Sequence, residues 1–131
     1  MESVMRQFAE EYTAAWCSQV AARVASFYAE DGSLSVNDDA PAVGRAAITE
    51  VAQGFMSAFP DMQVFLDDLC QEDNRFIYHW TLTGRNTGPG GTGCAVRISG
   101  FEIWQMGADG LIANSSGHFD SDEYRRQLEQ D

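Results

Sequence analysis

A change of hydrophobic period at Pro60 constrains the fold of this chain more than any other feature. Before it, apolar residues recur at helical spacing in three segments, 3–16, 20–30 and 45–59. After it, apolar and polar residues alternate as they do in strands, most clearly in "NRFIYHWTLTGRN" at 74–86. Helices followed by a run of antiparallel strands predict an α+β fold in which helices cover one face of a curved sheet.

Turn and capping residues set the predicted element boundaries. The Asp31-Gly32 pair ends the 20–30 helix, and "SLSV" after it is a short strand. Near the other end, "SDEYRRQLE" predicts a helix whose cap is Ser121 or Asp122. The predicted order is thus helices, strands and one last helix.

The strand at 101–106 is apolar on both faces. Phe101 and Ile103 lie on one side, and Trp104 and Met106 lie on the other. Helices can cover only one face of the sheet, and a large apolar patch rarely stays in water. The second face is therefore predicted to be the interface of a homodimer.

The charge of the chain limits its partners. Twenty acidic residues face eight basic ones, all arginine, for a formal net charge of -12 over 131 residues. Nucleic acids and anionic membranes are polyanions that such a field repels, so neither is predicted as a partner. The length fits one domain, residues 1–131. The acidic segment 1–12 lacks the long apolar run of a signal peptide or membrane anchor, which makes the cytoplasm the expected location.

Two features of the sequence could suggest a bound metal or cofactor, but the residues around them argue against it. The three cysteines are odd in number and lack Cys-x-x-Cys spacing, so neither a disulfide framework nor a zinc site is predicted. Gly88, Gly90 and Gly93 match Gly-x-Gly-x-x-Gly, but a strand pattern follows them where a dinucleotide site needs a helix N-terminus. The glycines are expected in a long hairpin loop, and no cofactor is predicted.

A histidine and an aspartate stand two residues apart where the last strand ends. In a period-2 strand His118 and Asp120 project to the same side as Asn114 and Ser116. If that side faces a pocket, apolar walls raise the pKa of the carboxyl group and the pair can act as an acid/base site. The alternative is that both residues cap the strand end, with Asp120 serving the last helix. A metal site would need His79 to converge with His118 from another strand, and no metal is predicted.

Glu102 stands in an otherwise apolar strand. It is either at a rim, paired with an arginine such as Arg97, or buried and protonated in a pocket. Whether it shares a face with Asp120 depends on the "GADG" turn, because one residue more in the loop, or a bulge, reverses the faces. Aromatic residues that can line such a pocket, and select a flat apolar ligand, are Trp16, Phe27, Phe55, Phe59, Trp80 and Trp104.

Several phrases and their order resemble a known superfamily. The series "YTAAW…VASFYAEDGSLSV…VGRAAITEVAQGF…FPD…YHWTLTGRNTG…GFEIWQMGADGLI…FD…YRRQL" spans nearly the whole chain. It resembles the nuclear transport factor 2-like superfamily, and within it the SnoaL-like, polyketide cyclase-like branch. The resemblance implies a single SnoaL-like domain: a cone of helices wrapped by a bent antiparallel sheet, with an apolar pocket inside and a dimer across the sheet.

The resemblance also implies roles for single residues. The acid that ends the last long strand in SnoaL-like cyclases, their general acid/base, corresponds to Asp120. Many relatives carry Glu-His-Trp earlier in this strand, where this chain has Asn114, Ser115 and Ser116. By similarity to ketosteroid isomerase, Tyr12 matches the oxyanion-hole tyrosine and Glu102 the protonated carboxylic acid.

The base of ketosteroid isomerase has no counterpart at the matching position. That position falls at about Val36, so Asp38 or Asp39 would have to substitute for it. The residues and the resemblance together predict a protein that binds a small hydrophobic, carbonyl-bearing molecule. Its chemistry would be cofactor-free proton transfer, as in a cyclase or isomerase, or less readily that of a dehydratase or hydrolase. The alternative is a non-catalytic ligand-binding or dimerisation module on the same fold.

Overall fold

The computed structural model describes residues 2–37 and 39–129. Within these ranges, none of the helices is long and apolar enough to cross a membrane. The helices are α1 (Glu2–Cys17), α2 (Ala21–Ala25), α3 (Arg45–Ala58) and α4 (Ser121–Leu128). The strands are β1 (Tyr28–Val36), β2 (Ala42–Val43), β3 (Gln63–Glu72), β4 (Arg75–Arg85), β5 (Ala95–Met106) and β6 (Ile112–Phe119). This order confirms the predicted α+β fold.

The strands form one curved, unclosed sheet in the order β2-β1-β6-β5-β4-β3. Strands β3 to β6 form an antiparallel meander, but β1 pairs with β6 in parallel. The expectation of an antiparallel sheet is therefore wrong at this pairing, and the sheet is mixed. The cause is the long connection between β1 and β6, which runs through α3 and four further strands, since only a tight hairpin forces its two strands to run antiparallel.

The second helix is shorter than predicted. α2 ends at Ala25, whereas Tyr28 begins β1 and is fully buried in the core. The register of β1 against β6 shifts between Tyr28 and Ser33, so the strand continues through the Asp31-Gly32 pair with an irregularity where a helix stop was expected. Burial of a large aromatic side chain in the sheet outweighs the helical spacing of a few residues.

The register divides the side chains of β4, β5 and β6 between two faces. The inner face packs on the helices and carries Tyr78, Trp80, Leu82, Ile98, Glu102, Trp104, Ser115, Gly117 and Phe119. The outer face carries Ile77, His79, Phe101, Ile103, Ser116 and His118. A shift of register between Gln105 and Met106 sets which residues of β6 turn inward.

The glycine-rich segment connects β4 to β5, as expected, with no helix after it. Asn86 fixes this loop: its Oδ1 accepts from the Thr92 N–H at 2.8 Å, and its Nδ2 donates to the Ala58 carbonyl at 3.2 Å. Gly88 lies against the end of α3, where a Cβ atom would come within 1.8 Å of the Ser57 carbonyl oxygen. This glycine is needed for close packing of the loop on the helix.

Candidate functional site

A cavity lies between the inner face of the sheet and the helices. Its volume is about 60 Å³, several times the roughly 10–15 Å³ that one water molecule occupies by the same kind of measure. Apart from Glu102, its wall is made mainly of apolar and aromatic side chains. The lining residues are Trp16, Leu34, Val36, Val51, Phe55, Val64, Tyr78, Trp80, Leu82, Ile98, Glu102, Gly117, His118, Phe119 and Tyr124.

Glu102 is the one carboxyl group among the described residues of this wall. It is 8% exposed, and three donors meet its Oε1: the Trp104 Nε1–H at 2.8 Å, the Tyr12 hydroxyl at 3.0 Å and the Ser115 hydroxyl at 3.0 Å. No described residue gives a hydrogen bond to Oε2. One oxygen of Glu102 is thus fixed by the protein, and the other is left for the cavity.

Burial raises the pKa of Glu102 above its ordinary value of 4.5, and the hydrogen bonds from Trp104, Tyr12 and Ser115 oppose the rise without cancelling it. The protonated form is therefore favoured over a wider pH range than for a carboxyl group in water. Because Oε1 already accepts three hydrogen bonds, the proton belongs on Oε2. In its protonated form, Glu102 presents an O–H donor to the cavity.

Tyr12 and Tyr28 form a layer behind Glu102. The Tyr12 hydroxyl donates to Glu102 and shares a 2.9 Å hydrogen bond with the Tyr28 hydroxyl. Both tyrosines are fully buried and neither lines the cavity. Burial, and then the neighbouring Glu102, raise the pKa of both hydroxyls well above the ordinary value, so they remain neutral donors. The structure brings the predicted pair together, but Tyr12 holds Glu102 and does not face the ligand space.

An aromatic stack fixes the position of Trp104, the indole that donates to Glu102 Oε1. The rings of Tyr78 and Trp104 are parallel to within 16° with centroids 4.8 Å apart, and Tyr78 is the register partner of Glu102 on β4. The Tyr78 hydroxyl pairs with the Thr13 hydroxyl at 2.5 Å, which ties the stack to α1. The carboxyl group is thus held from the helix layer and from both neighbouring strands.

Trp80 carries a polar atom that the fold leaves unsatisfied. Its Nε1 is the one buried side-chain nitrogen or oxygen of the described residues without a hydrogen-bond partner. An unpaired buried donor costs about 1–3 kcal/mol, so native structures seldom keep one without a use. Trp80 lines the cavity that holds Glu102.

The structure separates the residues of the predicted acid/base pair at the end of β6. Asp120 is exposed and caps α4, where its Oδ1 accepts from the Glu123 N–H at 3.0 Å. The cap is thus Asp120 and not Ser121 or Asp122, because the strand ends at Phe119 and the next residue keeps an extended backbone. His118 borders the cavity, but its ring stacks on Phe101 and its Nε2 shares a 3.0 Å hydrogen bond with Ser116.

The predicted pocket residues divide by the face on which they lie. Trp16, Phe55 and Trp80 lie in the cavity wall. The remaining ones do not: Phe27, Phe59 and Trp104 belong to the packed core, Ser116 lies on the outer face, and Asn114 is exposed and donates to Ser33 at 2.6 Å. Residues to which sequence reasoning gave no role in the site are Ser115 and Tyr124. Ser115 is the register partner of Trp104, so the register of β5 with β6 is the signal that would have found it.

The other predicted positions that the structure describes do not add a base to the cavity. Val36, the position implied for the base of ketosteroid isomerase, lines the cavity as an apolar side chain. Asp39 is exposed, and Asp38 lies outside the described residues. Arg97 is exposed and its backbone pairs with Gln127, so it is not the partner of Glu102. Within the described ranges no three His, Cys, Asp or Glu side chains are placed to hold a metal ion.

These features define a class of small α+β proteins in which a curved sheet and helices enclose an apolar cavity with one buried carboxyl group. The model of the SnoaL-like domain matches residues 9–115, and the chain belongs to this family. Among curated proteins, none matches.

Three solved structures illustrate the shared fold. TsrD from Streptomyces laurentii is 20% identical, with 98% of this chain and 97% of that chain covered and a TM-score of 0.83. A putative SnoaL-like polyketide cyclase from Jannaschia sp. CCS1 is 13% identical, with 94% and 92% covered and a TM-score of 0.75. A protein with a ketosteroid isomerase-like fold from Catenulispora acidiphila, in complex with trimethylamine, is 12% identical, with 91% and 89% covered and a TM-score of 0.78.

Proposed function

We propose that this protein binds a small, uncharged, apolar molecule through a carbonyl group. The observation that carries the proposal is the difference between the two oxygens of Glu102. Oε1 accepts three hydrogen bonds, whereas Oε2 accepts none from the described residues. A carbonyl oxygen in the cavity would accept a hydrogen bond from the protonated Oε2. The apolar wall supports an uncharged ligand, since a buried charge without a partner is costly. The structure of the Catenulispora acidiphila protein, which holds trimethylamine, supports the use of this fold for small molecules.

The same arrangement supports a cofactor-free cyclisation as a second candidate function. The Oε2–H proton would pass to the ligand carbonyl oxygen as an enol carbon of the same molecule attacks the carbonyl carbon. The enol O–H proton would then return to Glu102. Tyr12, Trp104 and Ser115 would stabilise the carboxylate that exists between the two transfers, because all three already donate to Oε1. This route needs no second acid or base from the protein.

Two simple probes test the binding proposal. Cyclohexanone carries one carbonyl group, and cyclohexane has the same ring without an acceptor. In an NMR titration of the wild type, we expect cyclohexanone to bind more tightly than cyclohexane, roughly three- to ten-fold, which is the value of one hydrogen bond. We expect Glu102→Leu to remove this advantage of the ketone. Equal affinities for the two rings would contradict the role of Glu102. Turnover of a ligand by the wild type but not by Glu102→Gln would support the second candidate.

We also propose that a second copy of this chain covers the outer face. Ile77, Phe101 and Ile103 lie there half-buried, and Phe65 of β3 is 49% exposed on the same face, at the register of Thr81. A sheet face that carries such an apolar group among polar residues suits the self-complementary contact of a two-fold dimer. Sedimentation should show a dimer for the wild type and a folded monomer for Phe101→Glu. A monomeric wild type would contradict this proposal without affecting that for the cavity.

A further inference from the structure

The buried indole N–H of Trp80, a residue of the cavity wall, is a second polar group without a hydrogen-bond partner among the described residues. Trp80 lines the same wall as Glu102, and its buried Nε1 has no hydrogen-bond partner among the described residues. Every other buried polar side-chain atom in the described part of the chain is satisfied. The described part of the chain thus leaves the N–H of Trp80 and one oxygen of Glu102 without a hydrogen-bond partner.

The register places the two groups beside each other. Tyr78 pairs with Glu102 and Trp80 pairs with Gly100, so Trp80 and Glu102 are diagonal neighbours on the inner face of β4 and β5. The indole reaches across to β5, because a Cβ atom on Gly100 would lie 2.6 Å from Trp80 Cζ2. Since Cζ2 is two bonds from Nε1, the N–H edge of the ring lies on this side. Phe119, with its ring centroid 6.0 Å from that of Trp80, borders the same space.

A water molecule is a poor partner for this N–H. Buried waters typically make about three hydrogen bonds, and they need two to four polar partners. The side chains of Leu82, the next inner-face residue of β4, and of Phe119, whose ring contacts that of Trp80, offer no hydrogen-bond partner. An acceptor carried by an apolar ligand meets the need of Trp80 without requiring further polar groups.

We propose that Trp80 is a specificity-determining donor, and that the cavity takes an uncharged ring compound with two acceptor oxygens, one for the Glu102 Oε2–H and one for the Trp80 Nε1–H. Diagonal neighbours on adjacent strands lie roughly 7–8 Å apart, which favours two separate oxygens over a single shared one. A small dicarbonyl compound has this chemistry. The inference rests on the proposed binding function and adds the second contact to it.

A series of three rings tests the second contact. Cyclohexane, cyclohexanone and 1,4-cyclohexanedione carry no, one and two carbonyl groups on the same frame. We expect the dione to bind the wild type most tightly, and Trp80→Phe to remove the advantage of the dione over the ketone, about three- to ten-fold for one hydrogen bond. Trp16→Phe is the matched control, because it makes the same exchange in the same cavity wall and should preserve that advantage.

The indole N–H resonance of Trp80 gives a second readout. It is measured in wild-type protein, so it is unaffected by any change in folding that Trp80→Phe causes. In wild-type protein we expect the Trp80 resonance, assigned by its loss in Trp80→Phe, to move downfield with the dione and to stay in place with cyclohexane. If the ketone binds through Glu102 but the dione gains nothing and the resonance does not move, the inference is overturned and the proposed function stands. If no member of the series binds, both are overturned.

Discussion

Glu102 and Asp120 are the two carboxylic residues that the sequence singled out as candidate acids, and their surroundings in the structure are opposite. Glu102 lies within β5, is buried, and has one oxygen held by three donors. Asp120 lies one residue beyond β6, is exposed, and stabilises the first turn of α4. Burial in the core shifts the pKa of the Glu102 carboxyl group. Asp120 stands at the end of a strand, in water, and its carboxyl group has the structural role of a helix cap.

Replacement of each carboxylic residue by alanine should give the largest difference in unfolding free energy between the two regions. Glu102→Ala leaves Tyr12, Trp104 and Ser115 without this acceptor in the core. At about 1–3 kcal/mol for each donor, we expect the free energy of unfolding to fall by about 3 kcal/mol or more. Asp120→Ala removes one helix cap and should cost about 1 kcal/mol. Urea denaturation measures both.

Isosteric variants are the controls for this comparison. Glu102→Gln keeps an oxygen for the three donors, and Asp120→Asn keeps a cap, so each should lose less stability than the matching alanine variant. A larger loss for Asp120→Ala than for Glu102→Ala would reverse the comparison and contradict the account.

The pH dependence of stability should also come from the buried group. The pKa of Glu102 is higher in the folded than in the unfolded chain, whose value is about the ordinary 4.5. The folded state then binds the proton more tightly, so its contribution to stability is complete below the unfolded pKa and is lost as pH rises through the folded pKa. We expect Glu102→Gln to lack this loss in urea denaturation curves measured from pH 4.5 upward. The same decline in the variant would assign it to other groups.

Removal of one donor should give the smallest of these effects. Tyr12→Phe deletes a hydrogen bond to Glu102, so we expect unfolding free energy to fall by about 0.5–1.5 kcal/mol. The pKa of Glu102 should rise further, since a hydrogen bond that favours its charged form is lost. Tyr124→Phe makes the same exchange in the cavity wall, where no described residue bonds the hydroxyl, and should be close to neutral. An equal loss in both variants would argue against a special role for Tyr12.

The sequence predicted those features that depend on local pattern. The change of period at Pro60 located α3 and the first strands of the meander. The single acid in an apolar strand left Glu102 either at a rim or buried in a pocket, and only the resemblance to ketosteroid isomerase added Tyr12 to it. Features that depend on the register of the strands could not be predicted from the sequence. The shift between Gln105 and Met106 turns Ser115 inward and Ser116 outward, and alternation alone cannot locate such an irregularity.

The position of Asp120 shows a different limit. Two residues after His118, it fits both a strand face and a helix cap, and only the point at which β6 ends decides between them. The parallel pairing of β1 with β6 was likewise not visible, since it joins segments that no short turn connects.

The protonation state of Glu102 tests the central claim most directly. Carbon-13 NMR of the labelled side-chain carboxyl group, assigned with Glu102→Gln, would follow its titration in the folded protein. We predict that the group titrates above 4.5, its ordinary value, and that added cyclohexanone shifts the titration higher still, because the ketone binds the protonated form. A carboxyl group that titrates at or below 4.5, and is unaffected by the ketone, would contradict the account.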